Sequence, residues 1–432
     1  MAIDSGDTAW VITATALVML MTPALGFFYG GLVRRKNLVA TIVQCLAIFC
    51  VVSLVWALWG YSLTFGTVWF SITANHGTWG LLGNLSKAGL IGVGAAPNPA
   101  YSVNISELLY FAFQLKFAAI TPALIIGAFA GRVRLKSLLI FIVLWTTLIY
   151  VPIAMWIWNP GGWLHALGVV DFAGGLVVHT SAGVSAVAAA IVIGRRPDTE
   201  VRSSRPNNVP YVILGAALLW FGWFGFNAGS ALAADAVAVN ALVTTNLAAA
   251  AGGVSWMLVD WVRKGRPSAV GMAVGAVCGL AAVTPAAGYV GPSASIAIGL
   301  IAGILCNYIA NWRARTTLDD SLDVFACHGA GGMWGTIATG LFASTAINAA
   351  GPNGLFYGNP HQELVQLAGV AVVASFAFLG TYILLRVINV FSPLRVSPNE
   401  ENAGLDISEF GEEAYEPTAP GVSTSAADSS ST

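Results

Sequence analysis

Long apolar segments alternate with short polar segments along most of the chain. Each apolar segment has about 20 residues, the length that an α-helix needs to cross the hydrocarbon core of a bilayer. The predicted spans are 8–31, 40–66, 105–130, 137–158, 171–194, 209–233, 241–262, 268–287, 292–311, 324–346 and 362–389. The pattern therefore predicts an all-α membrane protein with eleven transmembrane helices.

The basic residues predict the orientation of these helices. Of the 19 Lys and Arg residues, all but Lys87 and Lys116 follow an odd-numbered span or flank the end of the last one. Because basic residues concentrate in cytosolic loops, we expect the N-terminus outside and the C-terminus inside. The alternation also supports the number of spans, since one missed or extra helix would scatter the basic residues over both sides.

The composition agrees with a membrane protein. Hydrophobic residues make up 57% of the chain and charged residues only 9%, against about a quarter in soluble domains. The net charge of −1 gives no sign of nucleic-acid binding. The five cysteines lie in apolar segments without metal-ligand spacing, so neither a disulfide framework nor a metal or other cofactor is predicted.

Two regions depart from the helical pattern. Residues 67–104 predict a long outer loop, ordered in part. From residue 396 the chain has eight acidic residues and no basic residue, and it ends in a Ser/Thr/Ala-rich stretch. We therefore predict a transmembrane domain at 1–395 and an acidic cytosolic tail at 396–432, of which 417–432 is disordered.

Two similar segments indicate an inverted repeat. DFAGGLVVH (171–179) lies in the fifth span and DVFACHGAGG (323–332) in the tenth, and each has an Asp near its start and one histidine. The two spans are predicted to run in opposite directions. A five-plus-five repeat would place both segments across a pseudo-two-fold axis at the membrane midplane, where many transporters bind their substrate.

The two histidines are the first candidates for function, because ionisable residues inside a membrane are rare and costly. His179 and His328 are surrounded by glycines, which let helices approach closely. A neutral pair offers hydrogen-bond donors and acceptors to a small polar solute without supplying a charge. The alternative is that each histidine merely bonds a neighbouring helix.

Aromatic residues form a second constellation. Trp223, Phe226 and Ser230 share one face of the sixth span, Phe117 lies in the third, and Trp158 ends the fourth. Aromatic rings and a hydroxyl can hold a small cation by cation–π contact and a hydrogen bond. Taken singly, an aromatic residue in a bundle is more often core packing, and a tryptophan at the end of a span is more often part of an interfacial belt.

The remaining polar residues admit more than one interpretation. Asp171 fits a helix N-cap or a carboxylate that favours a nearby cation, and Asp323 fits a similar helix start. Lys116 either points away from the lumen, or is paired, or is deprotonated by burial. Three further histidines, His76, His165 and His361, are predicted to lie in outer loops.

Together these residues resemble the ammonium transporter/methylammonium permease/Rhesus family. The segments that carry the similarity are FFYGGLVRRKN (27–37), FQLKFA (113–118), DFAGGLVVH (171–179), GWFGFNAGSA (222–231), DVFACHGAGG (323–332) and GLDISEFGEEAYE (404–416). The resemblance implies eleven helices with a five-plus-five inverted repeat. It also implies a homotrimer in the cell membrane, with one pore per subunit.

The resemblance further implies a role for each candidate residue. The outer ammonium recruitment site of the family is matched by Trp158, Phe117, Ser230 and Asp171. The paired phenylalanine gate is matched by Phe117 and Phe226, and the twin pore histidines are matched by His179 and His328. The tryptophan beside the pore is matched by Trp223. Ammonium would be deprotonated near the gate, and ammonia would pass the histidines. The tail segment 404–416 matches the regulatory tail of the family, whose bacterial and archaeal members are regulated by PII-type signalling proteins that dock on the cytosolic face.

Two other functions are weighed against transport. A sensor that signals ammonium to a partner is one, although the tail after 396 is too short for an added signalling domain. An intramembrane enzyme or bis-histidine haem protein is the other. No nucleophile motif stands out, and the dense glycine around the histidines leaves no obvious haem surface. We therefore predict a transporter and not an enzyme.

Overall fold

The computed structural model describes residues 3–74, 77–197 and 205–415. Most of them are helical, and the described residues contain one two-stranded sheet. The main elements are α1 Ser5–Leu32, α2 Arg35–Phe65, β1 Val68–Ala74, β2 Gly77–Gly83, α3 Glu107–Ala128, α4 Leu135–Trp158, α5 Gly175–Ile193, α6 Val209–Ala231, α7 Ala236–Lys264, α8 Ala269–Val283, α9 Pro292–Arg313, α10 at 325–342 and α11 Pro360–Phe391.

The helix lengths confirm a multi-pass membrane protein. Within the described residues, nine helices are long and apolar enough to cross a bilayer. The other two predicted spans, 268–287 and 324–346, correspond to the shorter helices α8 and α10. The number of crossings and the orientation stay predictions.

Polar side chains begin several helices. The Ser106 hydroxyl accepts a hydrogen bond from the backbone N–H of Leu109 at the start of α3 (3.2 Å). Ser268 caps α8 in the same way, through the N–H of Gly271 (2.9 Å). These caps satisfy backbone donors that have no partner within the helix, which matters more next to lipid than in water.

Small residues allow the helices to pack closely. A Cβ atom added at Gly222 of α6 would lie 2.3 Å from the Cγ atom of Met21 in α1. Any larger residue at this position would push α6 away from α1. Since α6 carries Trp223 and Phe226, this contact also fixes where those rings lie.

The predicted outer loop contains an antiparallel hairpin, β1–β2, directly after α2. The hairpin is tied to the residues at the end of α4. The Gly80 N–H donates to the Gly161 carbonyl (3.1 Å), and the Trp156 indole N–H donates to the Leu81 carbonyl (3.0 Å). The sequence pattern predicted partial order for this segment, but it did not predict the strands.

The first part of the acidic tail packs against the helix ends. It forms a short helix, Pro398–Ala403, and a turn at Asp406–Phe410. The Asp406 carboxylate accepts from the N–H groups of Val39 (3.1 Å) and Ala40 (2.7 Å), so it caps α2. The stretch 417–432, predicted to be disordered, lies outside the described residues, as does His76.

Candidate functional site

The two intramembrane histidines contact each other. Their Nδ1 atoms lie 3.2 Å apart, and the ring centroids are 5.2 Å apart with an interplanar angle of 19°. Both side chains are buried. A hydrogen bond between two Nδ1 atoms requires one ring to donate and the other to accept. In the neutral pair, the accepting ring therefore carries its proton on Nε2, and the donating ring has a bare Nε2.

Glycines bring the two histidines together. A Cβ atom added at Gly183 of α5 would lie 2.0 Å from the backbone nitrogen of Gly329. One added at Gly332 would lie 2.8 Å from the Cβ atom of His179. The backbones of α5 and α10 therefore touch where the imidazoles meet, and a side chain at either position would separate them.

Each histidine lies on a π-helical turn, Gly175–Thr180 in α5 and Phe325–Ala330 in α10. Three further π-helical turns, at Trp56–Gly60, Thr146–Tyr150 and Asp406–Phe410, lie in the described residues, so the turn type alone does not mark the site. Asp171 holds the turn that carries His179. Its carboxylate accepts four backbone hydrogen bonds, from Gly174 (2.8 Å), Gly175 (2.6 Å), Leu176 (2.8 Å) and Val177 (3.1 Å). The Asp171 carboxylate therefore caps the start of this helix, and its expected effect on a nearby cation stays a prediction.

The counterpart of Asp171 is Asp320, which the sequence analysis missed. The Asp320 carboxylate accepts from the N–H groups of Val324 (3.1 Å) and Phe325 (2.8 Å). It precedes His328 by eight residues, as Asp171 precedes His179. This equal spacing is the sequence signal that identifies it.

Asp323 lies at the start of a helix, as expected, because the helical residues begin at 324 and the Asp323 carbonyl accepts from the Cys327 N–H (3.0 Å). Its side chain, however, does not cap that helix. Asp323 has a left-handed backbone (φ 56°), and its carboxylate pairs with the Arg313 guanidinium (2.7 Å). The ion pair turns this carboxylate away from the helix that it precedes, which leaves the cap to Asp320.

A row of rings leads from the histidines to one end of the bundle. The centroids of Phe117 and Phe226 are 4.3 Å apart, and that of Trp158 is 5.8 Å from Phe117. On the other side, His179 lies 5.9 Å from Phe226 and 5.3 Å from Trp223. Phe117 and Phe226 are fully buried, so the passage between them is closed.

An open cavity of about 210 Å³ lies outside the phenylalanine pair. Phe117, Trp158 and Ser230 line it. The Ser230 hydroxyl donates to the Phe226 carbonyl (2.8 Å), which leaves its lone pairs free to accept. The Trp158 indole N–H donates to the Asp171 carbonyl (2.9 Å). Asp171 itself lines an adjoining cavity of about 460 Å³ that also touches Trp158 and Ser230.

His165 also faces this cavity, where the sequence analysis expected only a loop residue. It belongs to the short helix Trp163–Leu167, and its Nδ1 atom lies 3.2 Å from the Ile157 carbonyl. His361, also expected in a loop, lies exposed in the first turn of α11.

A small apolar cavity surrounds the histidine pair. Its volume is about 10 Å³, about the least that can hold one water molecule. Apart from the two histidines and Trp223, its lining consists of the apolar side chains Met21, Leu25, Ile120, Leu124, Val178, Leu219, Phe226 and Val277. Among the described atoms, the Nε2 atom of His179 has no hydrogen-bond partner. The cavity can therefore hold one small molecule that hydrogen-bonds but carries no charge.

Lys116 points away from the rings. Its Nζ atom lies 5.1 Å from the centroid of the Phe49 ring on α2, and the residue lines neither cavity beside Phe117 and the histidines. Of the alternatives left open for this lysine, the structure has the first.

The histidine pair is a poor haem site. The rings are in direct hydrogen-bond contact, which leaves no space for an iron atom between the two Nδ1 atoms. In the described part of the chain, no group of three or more His, Cys, Asp and Glu residues has the geometry of a metal site.

Comparison with known proteins gives a consistent result over nearly the whole chain. The model of the Ammonium Transporter Family matches residues 9–415. The ammonium transporter of Bacillus subtilis (strain 168) is 46% identical over 412 residues, which cover 95% of this chain and 98% of the relative. Ammonium transporter Amt1 of Archaeoglobus fulgidus is 45% identical over 95% of this chain and 100% of its own. The crystal structure of Saccharomyces cerevisiae Mep2 superposes with a TM-score of 0.86 at 35% identity, covering 96% of this chain and 94% of that one.

Proposed function

The chain belongs to the ammonium transporter family, and we propose that it recruits NH4+ at the open cavity and conducts NH3 through the row of rings. The observation that carries this proposal is the unbroken contact from Trp158 through Phe117 and Phe226 to the His179–His328 pair. A transporter needs such a path, whereas an enzyme or a pure sensor does not.

Recruitment uses the groups around the open cavity. The faces of Trp158 and Phe117 attract a cation, and the Ser230 oxygen accepts a hydrogen bond from it. Asp171 mainly positions other groups of the site. Its carboxylate oxygens accept four backbone hydrogen bonds at the start of α5, and its carbonyl accepts from the Trp158 indole and so orients that ring. Its buried charge also favours a cation nearby.

At the phenylalanine pair, NH4+ gives its proton to water in the open cavity, and NH3 passes between the two rings. Carrying an intact ion into an apolar cavity with room for one small molecule has a large desolvation cost. Neutral ammonia avoids most of this cost. Potassium is similar in size to ammonium but has no proton to release, so the same step supplies selectivity.

The histidines then guide ammonia through the lumen. In the neutral pair, one Nε2 carries a hydrogen and the other a lone pair. Ammonia both donates and accepts hydrogen bonds. It can therefore accept a hydrogen bond from the Nε2–H of one histidine and donate a hydrogen bond to the bare Nε2 of the other as it passes the pair. Trp223 packs on His179, and its indole N–H donates to the Thr284 hydroxyl (2.9 Å), which holds the ring in place.

The architecture proposed for this function has eleven spans, a five-plus-five inverted repeat, an outer N-terminus and an inner C-terminus. It is supported by the equal Asp-to-His spacing and the π-turns on α5 and α10. We further propose a homotrimer in the cell membrane with one pore per subunit. The tail packed on the predicted cytosolic face is the surface on which a PII-type protein would dock.

The test is electrical recording from proteoliposomes on a solid-supported membrane. An ammonium pulse that gives a current shows that the proton also crosses the membrane, and potassium pulses should give no current. The His179→Ala/His328→Ala variant should lose the current or its selectivity, whereas His361→Ala, an exposed histidine on α11, should keep both. If no current appears, a stopped-flow pH assay decides between neutral ammonia flux and sensing. Flux no faster than in empty vesicles would overturn the proposal in favour of a sensor.

A further inference from the structure

The strand β1 exposes large apolar side chains outside the helical bundle. Trp69 is 71% exposed, Phe70 56% and Ile72 52%. The sequence has no Asp, Glu, Lys or Arg between Lys36 and Lys87, so the hairpin carries no charge of the kind that normally protects an exposed strand. Such a surface marks an interaction site, because in water it would promote aggregation.

Side chains on both faces of β1 are exposed. In a regular strand, neighbouring side chains point to opposite faces. Ile72 and Thr73 lie in the regular part of the pairing with β2, and both are exposed. Trp69 and Phe70, also neighbours, are both exposed where the pairing is irregular.

The position of the strand identifies what covers these side chains. Only Gly66 and Thr67 separate β1 from the end of α2. Along α2, Leu54 and Leu58 are 66% and 52% exposed, as expected for a face of a membrane span that contacts lipid. The apolar surface of β1 thus continues the lipid-contacting surface at the level where the membrane meets water. Tryptophan is enriched at this level in membrane proteins.

We propose that β1 is an interfacial anchor, which inserts Trp69, Phe70 and Ile72 into the headgroup region of the bilayer beside α2. The partner is therefore a lipid surface rather than a protein.

The anchor is mechanically linked to the open cavity. The side-chain amide of Asn159, the residue after Trp158, donates to the Thr64 carbonyl at the end of α2 (2.8 Å). The Gly80 N–H donates to Gly161 on the same loop. Lipid contact at β1 therefore fixes the depth of Trp158 relative to the membrane surface. This last step rests on the proposed function, whereas the anchor itself does not.

The test is site-directed spin labelling of the full chain in phosphatidylcholine/phosphatidylglycerol vesicles. The label is placed at Phe70→Cys in a Cys50→Ser background, because Cys50 is the exposed one of the five cysteines and the other four are buried. Leu54→Cys supplies the reference for lipid, and Ser86→Cys, an exposed polar residue beyond the hairpin, the reference for water. Collision with oxygen reports lipid, and collision with a water-soluble nickel chelate reports solvent.

The anchor predicts an oxygen-to-nickel collision ratio at Phe70 that is shifted from the Ser86 value toward the Leu54 value. A ratio equal to that of Ser86 would overturn the proposal. Low collision with both reagents would also overturn it, because a second protein copy would then cover the strand. These measurements do not depend on transport, so ammonium flux recorded on the same vesicles tests the proposed function separately.

Discussion

The Nδ1 atoms of His179 and His328 lie 3.2 Å apart, so one imidazole donates to the other and the two rings hold opposite tautomers. A doubly protonated pair would place two N–H donors and two positive charges against each other. The geometry therefore favours a neutral pair. It also makes the two histidines a single unit, since neither tautomer is fixed without the partner.

This coupling predicts a non-additive mutant cycle. His328→Ala leaves the Nδ1 atom of His179 without its partner in an apolar cavity. An unpaired buried polar group costs about 1–3 kcal/mol, which corresponds to roughly a 5- to 150-fold loss of flux if it raises the barrier. We expect the His179→Ala/His328→Ala variant to lose no more ammonia flux than the worse single variant. Stopped-flow flux in vesicles measures this, and losses that multiply would show that the histidines act independently.

Replacing Asp320 should reduce stability and ammonia flux, as replacing Asp171 should. Asp320→Asn and Asp171→Asn each remove the charge and one acceptor from a buried cap at a π-turn. We expect each to lower the free energy of unfolding by about 1–2 kcal/mol and to slow ammonia flux by moving a histidine. Thermal unfolding in detergent and vesicle flux measure the two effects.

The matched control for these caps is Asp4→Asn. The Asp4 carboxylate caps α1 at an exposed site, where it accepts from the Asp7 N–H (2.8 Å). Asparagine caps an exposed helix nearly as well as aspartate, so little change is expected. An unaltered histidine site in Asp320→Asn would refute the positioning role.

Features that depend on a short-range sequence pattern, such as the long helices and the close helix contact, could be predicted from the sequence. Long apolar segments identified the nine longest helices, and the glycines around His179 and His328 identified a close helix contact. The strand β1 was missed because its side chains do not alternate across the irregular pairing. Asp320 was missed as the capping side chain because the carboxylate of Asp323, which is nearer to the helix, forms an ion pair with Arg313 in a separate element. No local pattern reports such a pair.

Lys116 should be nearly neutral for transport. Its Nζ atom lies over the Phe49 ring, away from both cavities, although the residue precedes Phe117. Lys116→Met keeps the length and the apolar stem of the side chain. We expect less than about a twofold change in ammonium current, because a cation–π contact of about 0.5–1 kcal/mol is the main loss. A large rise in current would show that the lysine charge repels ammonium from the pore.

Acid should destabilise the protein through Asp319. Burial alone would raise the pKa of this carboxyl, but hydrogen bonds from Arg196 and the charge of Arg132 outweigh burial and lower the pKa to about 2. The ordinary value is about 3.9. A depressed pKa contributes stability above the unfolded value, and that stability is lost as the pH falls from about 4 to about 2. We expect Asp319→Asn to lower the unfolding temperature at neutral pH and to flatten its decline over that interval. A parallel decline in both proteins would contradict the assignment.

The docked tail depends on Gly404. This residue has φ 99° and ψ 149°, a backbone conformation essentially confined to glycine, and an added Cβ atom would lie 2.4 Å from the Lys36 carbonyl oxygen. Gly404→Ala should therefore strain the chain just before Asp406, which caps α2, at a cost of about 1–3 kcal/mol. We expect the tail to detach, so that a glutamate-specific protease cleaves at Glu412 faster than in the unmodified protein. Gly411→Ala is the control, because Gly411 lies in the less strained left-handed region (φ 68°, ψ 20°) and has open space at the Cβ position. Equal cleavage of both variants would contradict the role of Gly404 in docking.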